Sequence, residues 1–333
     1  MQLFITGATG FIGGALARTL INQGHTIHAL ARPASDRSAL SNLPIQWHIG
    51  SLTEPDSLSG LFTHSDGIIH AAGLLGQHGR TTDDYYQANV LACHHLFTTI
   101  QNDTAHRPTP PRILHISSAG VMGPLPPGPN PPIPPETAPM APSNLYENSK
   151  AESERVATTF AAQGLPITIA RPEFLYGPGD KHVLGLFRMI KRRLFFYIGS
   201  GHNLCHPTYI DDAVTGLISC WQHGQPGQAY NICGPRPLPW REFVPTVAHA
   251  LNTPPPQLQL PRHLVQLGAQ SLEFAHRWLG TPVPLSQDGV AFFSQNRGSS
   301  YQRAHDEFGY TPQTDLQAGI KKTVTWYQKQ GWL

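Results

Sequence analysis

Three glycines spaced as Gly7-Ala-Thr-Gly10-Phe-Ile-Gly13 follow the short apolar run Leu3-Phe4-Ile5 and open a helical pattern from Ile12 to Gln23. The first glycine permits a tight turn, the second lets backbone approach an anion, and the third lets the helix lie close on the sheet. The anion then meets free N–H groups and the positive end of the helix. In this strand-turn-helix setting the spacing predicts dinucleotide binding, with Gly7, Thr9, Gly10, Phe11, Ile12 and Gly13 at the cofactor.

A second apolar run, Thr26 to Leu30, completes a β-α-β order, the unit of a parallel sheet in an α/β fold. Further strands are expected at Ile45 to Ile49, Gly67 to His70, Arg112 to Ser117 and Pro166 to Ile169, and their continuous apolar character fits burial on both faces. Residues 123–142 are proline-dense and exclude helix or central strand; they read either as a loop that simply wanders or as a stiff, partly polyproline wall beside the site. Beyond Pro172 helices are expected at Gly185 to Arg193, Ala213 to Trp221 and Glu242 to Ala250. Over Leu264 to Leu279 an amphipathic pattern puts Leu264, Leu267, Ser271, Leu272, Ala275 and Leu279 near one face, beside Trp278, either packed on the core or lining a pocket.

The 333 residues carry 23 Lys and Arg against 21 Asp and Glu, a net charge of +2 without long single-sign runs, which gives no basis for nucleic-acid binding. Cys93, Cys205, Cys220 and Cys233 lie far apart and read as isolated thiols in a reducing compartment. The 18 histidines are scattered, so no metal is expected. With neither a bilayer-length apolar run nor a leader pattern, the chain is expected to be cytoplasmic, with no transmembrane segment.

The end of the second run bears on the cofactor. A carboxylate there suits the ribose hydroxyls of NAD, an arginine a 2′-phosphate. Ala31-Arg32-Pro33 holds no acid, and Arg32 and Arg37 offer two phosphate forks, so NADP(H) is expected over NAD(H).

Tyr146 and Lys150 stand four residues apart in a helix-forming run and leave the same face. A nearby ammonium favours the phenolate and is expected to bring the tyrosine nearer the range useful for proton transfer. Ser118 ends the run Arg112-Ile-Leu-His-Ile-Ser-Ser, at the carboxyl edge where a parallel sheet binds ligands; Ser117 should point to the other side.

Together these residues resemble the extended short-chain dehydrogenase/reductase family, which holds sugar-nucleotide epimerases and dehydratases and the 3β-hydroxysteroid dehydrogenase-like enzymes. The likeness runs through essentially the whole chain: Thr6 to Gly13, His70-Ala-Ala-Gly73, Gln87-Ala-Asn-Val90, Ser117 to Gly123, Glu136 with Pro142, Tyr146 and Lys150, Arg171 to Asp180, Tyr209 to Ala213, Tyr230 to Gly234 and Phe308 to Pro312, through Gly319 to Trp326-Tyr327. It implies a Rossmann-type doubly wound parallel sheet over residues 1–172 and a smaller, mainly C-terminal substrate-binding lobe over 173–333, with segments near 205–220 returning to the first. It also implies Ala71, Ala72, Gly73 and Pro172 at the cofactor with Tyr146 and Lys150, and Asn89 supporting the lysine through water. Two departures stand out: Gly50-Ser51 where the family commonly has Gly-Asp against adenine, and Val121-Met122-Gly123 where it commonly has Val-Tyr-Gly.

The implied chemistry is reversible alcohol/ketone interconversion. Tyr146 exchanges the proton, Ser118 orients the oxygen, Lys150 biases the tyrosine and fixes the ribose, and the nicotinamide carries hydride. Phe195 to Leu204 and Phe292-Phe293 resemble the steroid-dehydrogenase-like branch and lead to an apolar, sterol- or terpenoid-like small-molecule substrate as the first expectation. The alternative is a sugar-nucleotide 4-epimerase or dehydratase, for which Arg188, Arg192, Arg193, Arg236, Arg241 and Arg297 are candidate phosphate ligands. A cofactor-binding sensor without turnover is the third. Family habit makes a homodimer through the tyrosine helix a further expectation.

Overall fold

The computed structural model describes residues 1–279 and 285–333, the stretch 276–279 by backbone alone. Its centre is a seven-stranded sheet of β1 (Gln2–Thr6), β2 (Thr26–Ala31), β3 (Ile45–Ile49), β4 (Gly67–His70), β5 (Arg112–Ile116), β6 (Ile167–Pro172) and β7 (Ala229–Ile232). Their order across the sheet is β7-β6-β5-β4-β1-β2-β3, and every neighbour pair is parallel. The order reverses between β1 and β4, which opens a crevice at the carboxyl ends of the strands, the position where doubly wound sheets take ligands.

Alternation along the strands feeds two cores. Leu3 and Ile5, Ile69, and Leu114 with Ile116 face the helices Phe11–Asn22 and Ile210–His223; Phe4, Ile68 and Ile113 face Leu96 and Phe97 of Ala92–Asp103 and Phe160 of Leu145–Ala162. Strands β4 and β6 are buried throughout. The expectation of burial on both faces fails for β3, an edge strand whose Ile49 is 51% exposed.

Beyond β6 the chain builds a second lobe and returns twice to the sheet, as the helix Ile210–His223 and as β7. The expected helices are present as Leu184–Lys191, Ile210–His223 and Trp240–Ala250. An aromatic cluster of Phe174, Trp240, Phe243, Phe292 and Phe293 fills the lobe.

The helix Arg262–Leu279 packs inward through Val265 and Ala269, while Leu264 and Leu267 are exposed. Of the two readings of this helix, packing on the core is the one seen, but through Val265 and Ala269 and not through the expected face of Leu264 and Leu267. The Trp278 and Leu279 side chains expected on it lie outside the described residues. The proline-dense loop is pinned to the second lobe: Leu125 N–H donates to Asn296 O, and Asn296 Nδ2 donates to Pro126 and Gly128 carbonyls. Among the described residues no helix is long and apolar enough to cross a membrane.

Candidate active site

The glycine turn divides into two glycines with no space for a side chain and one, Gly10, under milder crowding. Gly7 has φ +74°, and a Cβ there would stand 2.5 Å from Ala72 N. One on Gly13 would meet Gly7 O at 2.2 Å. On Gly10 the nearest atom is Gly7 O at 3.2 Å, and Thr9 and Gly10 are exposed at the mouth of the helix Phe11–Asn22, whose N-cap carries no side-chain bond. The first-turn N–H groups are therefore open to a ligand, and the cradle fits a pyrophosphate. Phe11 and Ile12 are half-buried behind it, and Ala71, Ala72, Gly73 and Pro172 lie at the carboxyl ends of β4 and β6, on the same edge.

Ser118, just past β5, starts a short 3₁₀ turn over Ala119–Met122 and accepts from Gly120 N–H at 3.2 Å. Asn144 caps the helix Leu145–Ala162, which places Tyr146 in its first turn and Lys150 one turn on. The structure brings these three together, Ser118 near enough to the phenol to favour its ionised form. Ser117 Oγ is buried on the other side.

The expected effect of the lysine on the phenol is absent. Burial pushes Tyr146 up to about 12, only partly offset by Ser118. Lys150 donates instead to Ile116 O at 2.7 Å, and burial lowers its own pKa. Asn89 sits in a π-helical turn, Tyr86–Leu91, a widening common at functional sites. Its amide accepts from Leu74 N–H at 2.7 Å and donates to Leu74 O at 3.0 Å and Ser149 Oγ at 2.9 Å. It thereby ties the loop after β4 to the tyrosine helix.

Other groups at the site were not singled out from the sequence. Glu147 follows Tyr146, accepts from Ser143 N–H (2.7 Å) and Oγ (2.8 Å), and pairs with Arg297 of the second lobe at 2.8 Å. Glu147 borders the serine: a Cβ on Gly120 would stand 3.0 Å from Glu147 Cγ, 3.3 Å from its Oε1 and 3.3 Å from Ser118 Oγ. Glu173, one residue past β6, accepts from Ser299 Oγ at 2.7 Å, and burial raises its pKa. Of the six arginines expected as phosphate ligands, Arg297 joins the tyrosine helix. Arg236 pairs with Glu242, Arg241 lies over Tyr197, and Arg188 donates to Trp332 O.

Cys93 is not isolated. Beneath Lys150 its Sγ lies 3.2 Å from His70 Nε2, and His70 Nδ1 lies 2.7 Å from Thr6 Oγ1. His115 completes a buried trio whose ligand atoms fall within 4.8 Å of one another. The sequence signal was faint, since β4, the helix Ala92–Asp103 and β5 each supply one member.

The aromatic segments behind the sterol-like expectation are spent largely on packing. Phe195 is buried against Tyr197 and Phe293.

The chain resembles known proteins along almost its whole length. It is 25% identical to a 2-alkyl-3-oxoalkanoate reductase of Stenotrophomonas maltophilia over 97% of this chain and 98% of that one. It is likewise 25% identical to a decarboxylating sterol-4-alpha-carboxylate 3-dehydrogenase of Schizosaccharomyces pombe, over 98% and 97%. In fold it matches a dTDP-glucose 4,6-dehydratase double mutant of Streptomyces venezuelae (TM-score 0.79, 21% identity, 100% and 98% covered) and a UDP-glucuronic acid 4-epimerase of Bacillus cereus (TM-score 0.76, 19% identity, 99% and 99% covered). Both of those structures hold NAD, as do others of the same fold, and they correct the expectation of NADP(H). A physical reason is visible at one of the two expected phosphate forks: Arg37 lies over the Trp47 ring, 6.0 Å from its centroid. The sequence model of the NAD dependent epimerase/dehydratase family matches residues 3–233, from the glycine turn through Ser118, Tyr146 and Lys150 to β7, so the chain is an enzyme, an NAD(P)-dependent oxidoreductase belonging to that family.

Proposed function

We propose that this enzyme uses NAD(H) to oxidise a secondary alcohol of a small polar, sugar-like substrate and to return the electrons to the resulting ketone, as a sugar-nucleotide 4-epimerase does. The observation that carries the reading is the convergence of Ser118, Tyr146 and Lys150 at the carboxyl edge of the sheet, beside the open glycine turn. Support for the substrate class comes from the epimerases and dehydratases that share the fold; they favour it over a sterol- or terpenoid-like substrate.

NAD(H), when bound, supplies the two-electron acceptor and donor. Gly7, Thr9, Gly10, Phe11, Ile12 and Gly13 would hold its pyrophosphate, and Ala71, Ala72, Gly73 and Pro172 would border its nicotinamide half. Tyr146 takes the proton from the carbinol oxygen and gives it back, and Ser118 holds that oxygen. Lys150, anchored on the Ile116 carbonyl, would fix the nicotinamide ribose, and Asn89 fixes the loop after β4. The division into a dinucleotide-binding part, 1–172, and a substrate lobe, 173–333, belongs to the same proposal. Epimerisation is favoured over dehydration because elimination needs an acid and a base beyond Tyr146. Ser118 is followed by Ala119 and Gly120, and the bordering Glu147 carboxyl is engaged by Ser143 and Arg297.

A second reading, a dehydrogenase for an apolar alcohol, is favoured by one observation: Phe174, next to Glu173 and β6, packs on Trp240, Phe243 and Phe292, with Phe292 39% exposed. A panel of UDP-glucose, UDP-glucuronic acid, dTDP-glucose and a 3β-hydroxysteroid, assayed with NAD⁺, separates the two. Turnover of the steroid alone overturns the sugar-like reading. Tyr146→Phe should lower turnover of whichever substrate reacts by about 10²-fold or more.

A further inference from the structure

The helix Arg262–Leu279 carries two apolar stripes, and the core takes only one. Val265 and Ala269, four residues apart, pack inward with Ile198 and Val290. Leu264 and Leu267 leave a neighbouring face, each more than half exposed, while the exposed Gln266 and Gln270 take the remaining side. Apolar surface continues where the short strands Tyr197–Ile198 and Gln259–Leu260 pair beside this helix. Leu194 and Leu258, shortly before those two strands, are again more than half exposed. Single exposed leucines are ordinary, but several gathered at one corner of a lobe mark a contact surface.

Charge selects what that surface meets. Residues 184–210 and 251–272 hold Arg188, Lys191, Arg192, Arg193 and Arg262 and not one Asp or Glu, in a chain whose net charge is only +2. Arg188 donates to Trp332 O; the other four are exposed, and among the described residues none of them forms an ion pair. A second copy of the chain meeting this face by two-fold symmetry would set those cations against themselves. An anionic bilayer accepts both features, since leucines enter the headgroup boundary while Lys and Arg stay with the phosphates. The same helix is tied to the reacting groups through one loop. His78 Nδ1, in the loop after β4, lies 3.7 Å from Glu273 Oε1, and a Cβ on Gly76 of that loop would stand 3.8 Å from Tyr146 Cβ.

We infer that the enzyme docks peripherally on an anionic bilayer surface, with Leu194, Leu258, Leu264 and Leu267 entering the headgroup boundary and the basic rim set over the phosphates.

Co-sedimentation of the full-length enzyme with vesicles tests this, and no readout depends on turnover or on the substrate proposed above. Vesicles of phosphatidylcholine and phosphatidylglycerol in equal parts should bind it roughly tenfold or more tighter than phosphatidylcholine alone, since each basic residue at such a surface is worth about fivefold. Arg192→Gln with Arg262→Gln, and separately Leu264→Gln with Leu267→Gln, should each weaken binding to the mixed vesicles by roughly tenfold or more. All four positions are exposed, so both variants should unfold at the wild-type midpoint. The native cysteines are buried, so Leu264→Cys takes an environment-sensitive fluorophore at that position alone, and its emission should move to the blue on mixed vesicles. Absence of binding, or equal binding to both kinds of vesicle, overturns the inference. Binding that survives the leucine changes without a blue shift also overturns it, as adsorption by charge alone. A dimer in sedimentation equilibrium that the leucine variant dissociates gives the face to a second copy and overturns it likewise.

Discussion

The Lys150 ammonium donates to the Ile116 carbonyl across 2.7 Å and so fastens the tyrosine helix to the end of β5. This charge is held where burial disfavours it, and its pKa falls below 10.5. Between the folded value and 10.5 the unfolded chain binds the extra proton, so stability rises with pH across that window and the penalty is greatest below it. Lys150→Met removes the penalty together with one hydrogen bond. The unfolding midpoint at pH 7 should equal or exceed the wild type, while turnover falls by about 10²- to 10⁴-fold. Scanning calorimetry beside an activity assay checks both; a stability loss above about 1 kcal/mol, the worth of one hydrogen bond, counts against the argument.

The glycine turn predicts two different phenotypes. Gly7→Ala forces a side chain into φ +74° and onto Ala72 N at 2.5 Å, a backbone contact that cannot give way. Loss of about 2 kcal/mol or more is expected, with cofactor binding lost alongside. Gly10 has φ −86°, and its nearest neighbour is 3.2 Å from a Cβ. Gly10→Ala should fold with nearly wild-type stability and still bind NADH at least tenfold more weakly, because the methyl occupies the pyrophosphate's approach. Equal destabilisation of both variants, read by urea unfolding, would show that Gly10 too is needed by the fold.

Much of this was legible along the chain because the signals were local. The β-α-β order, the glycine spacing and the four-residue step from Tyr146 to Lys150 are all short-range patterns, and the sheet and the convergence with Ser118 follow from them. What stayed hidden was contact between distant segments. Arg297 was one arginine among six until the fold laid it against Glu147, 150 residues earlier. Cys93 was an isolated thiol until β4 and β5 set His70 and His115 around it. The phenol was expected to sit low beside an ammonium, but spacing along a helix carries no information about burial, which pushes it up. Arg37 was a phosphate fork only so long as the edge strand bearing Trp47 was unplaced.

Glu154 and Arg171 form a buried bidentate pair between the tyrosine helix and β6, with Nε–Oε1 at 2.9 Å and Nη2–Oε2 at 2.7 Å. Their side chains are 3% and 6% exposed, and Arg171 Nη1 also donates to Glu136 O at 3.1 Å. Glu154→Gln leaves the guanidinium buried without its counter-charge. A cost of about 3 to 5 kcal/mol is expected, read as a drop in the urea midpoint at constant slope. Replacing both by apolar residues, Glu154→Leu with Arg171→Met, should recover most of that loss. A double variant no better than the single one would mean that the pair does more than satisfy itself.

His115 offers the sharpest pH signature. It is buried in β5, stacked on His70 at 5.3 Å, with Nε2 3.1 Å from Ser153 Oγ and Nδ1 without a partner. Burial, together with the Lys150 charge, holds it well below 6.5, and the same causes hold His70 at about 3. Both are neutral in the folded protein and take up protons on unfolding once the pH drops below 6.5. Stability is therefore complete above 6.5 and lost as pH falls from there towards the folded values. Between pH 6 and 5, above the range where ordinary carboxylates titrate, each such histidine contributes a slope approaching about 1.4 kcal/mol per pH unit. His115→Phe keeps the aromatic packing on Phe97 and removes one of these groups along with its unsatisfied nitrogen. Stability at pH 7 should change by less than about 1 kcal/mol, since one buried hydrogen bond is given up and one buried polar atom is removed. The slope between pH 6 and 5 should flatten by close to one proton. An unchanged slope, measured by urea unfolding at several pH values, would place the acid sensitivity elsewhere in the molecule.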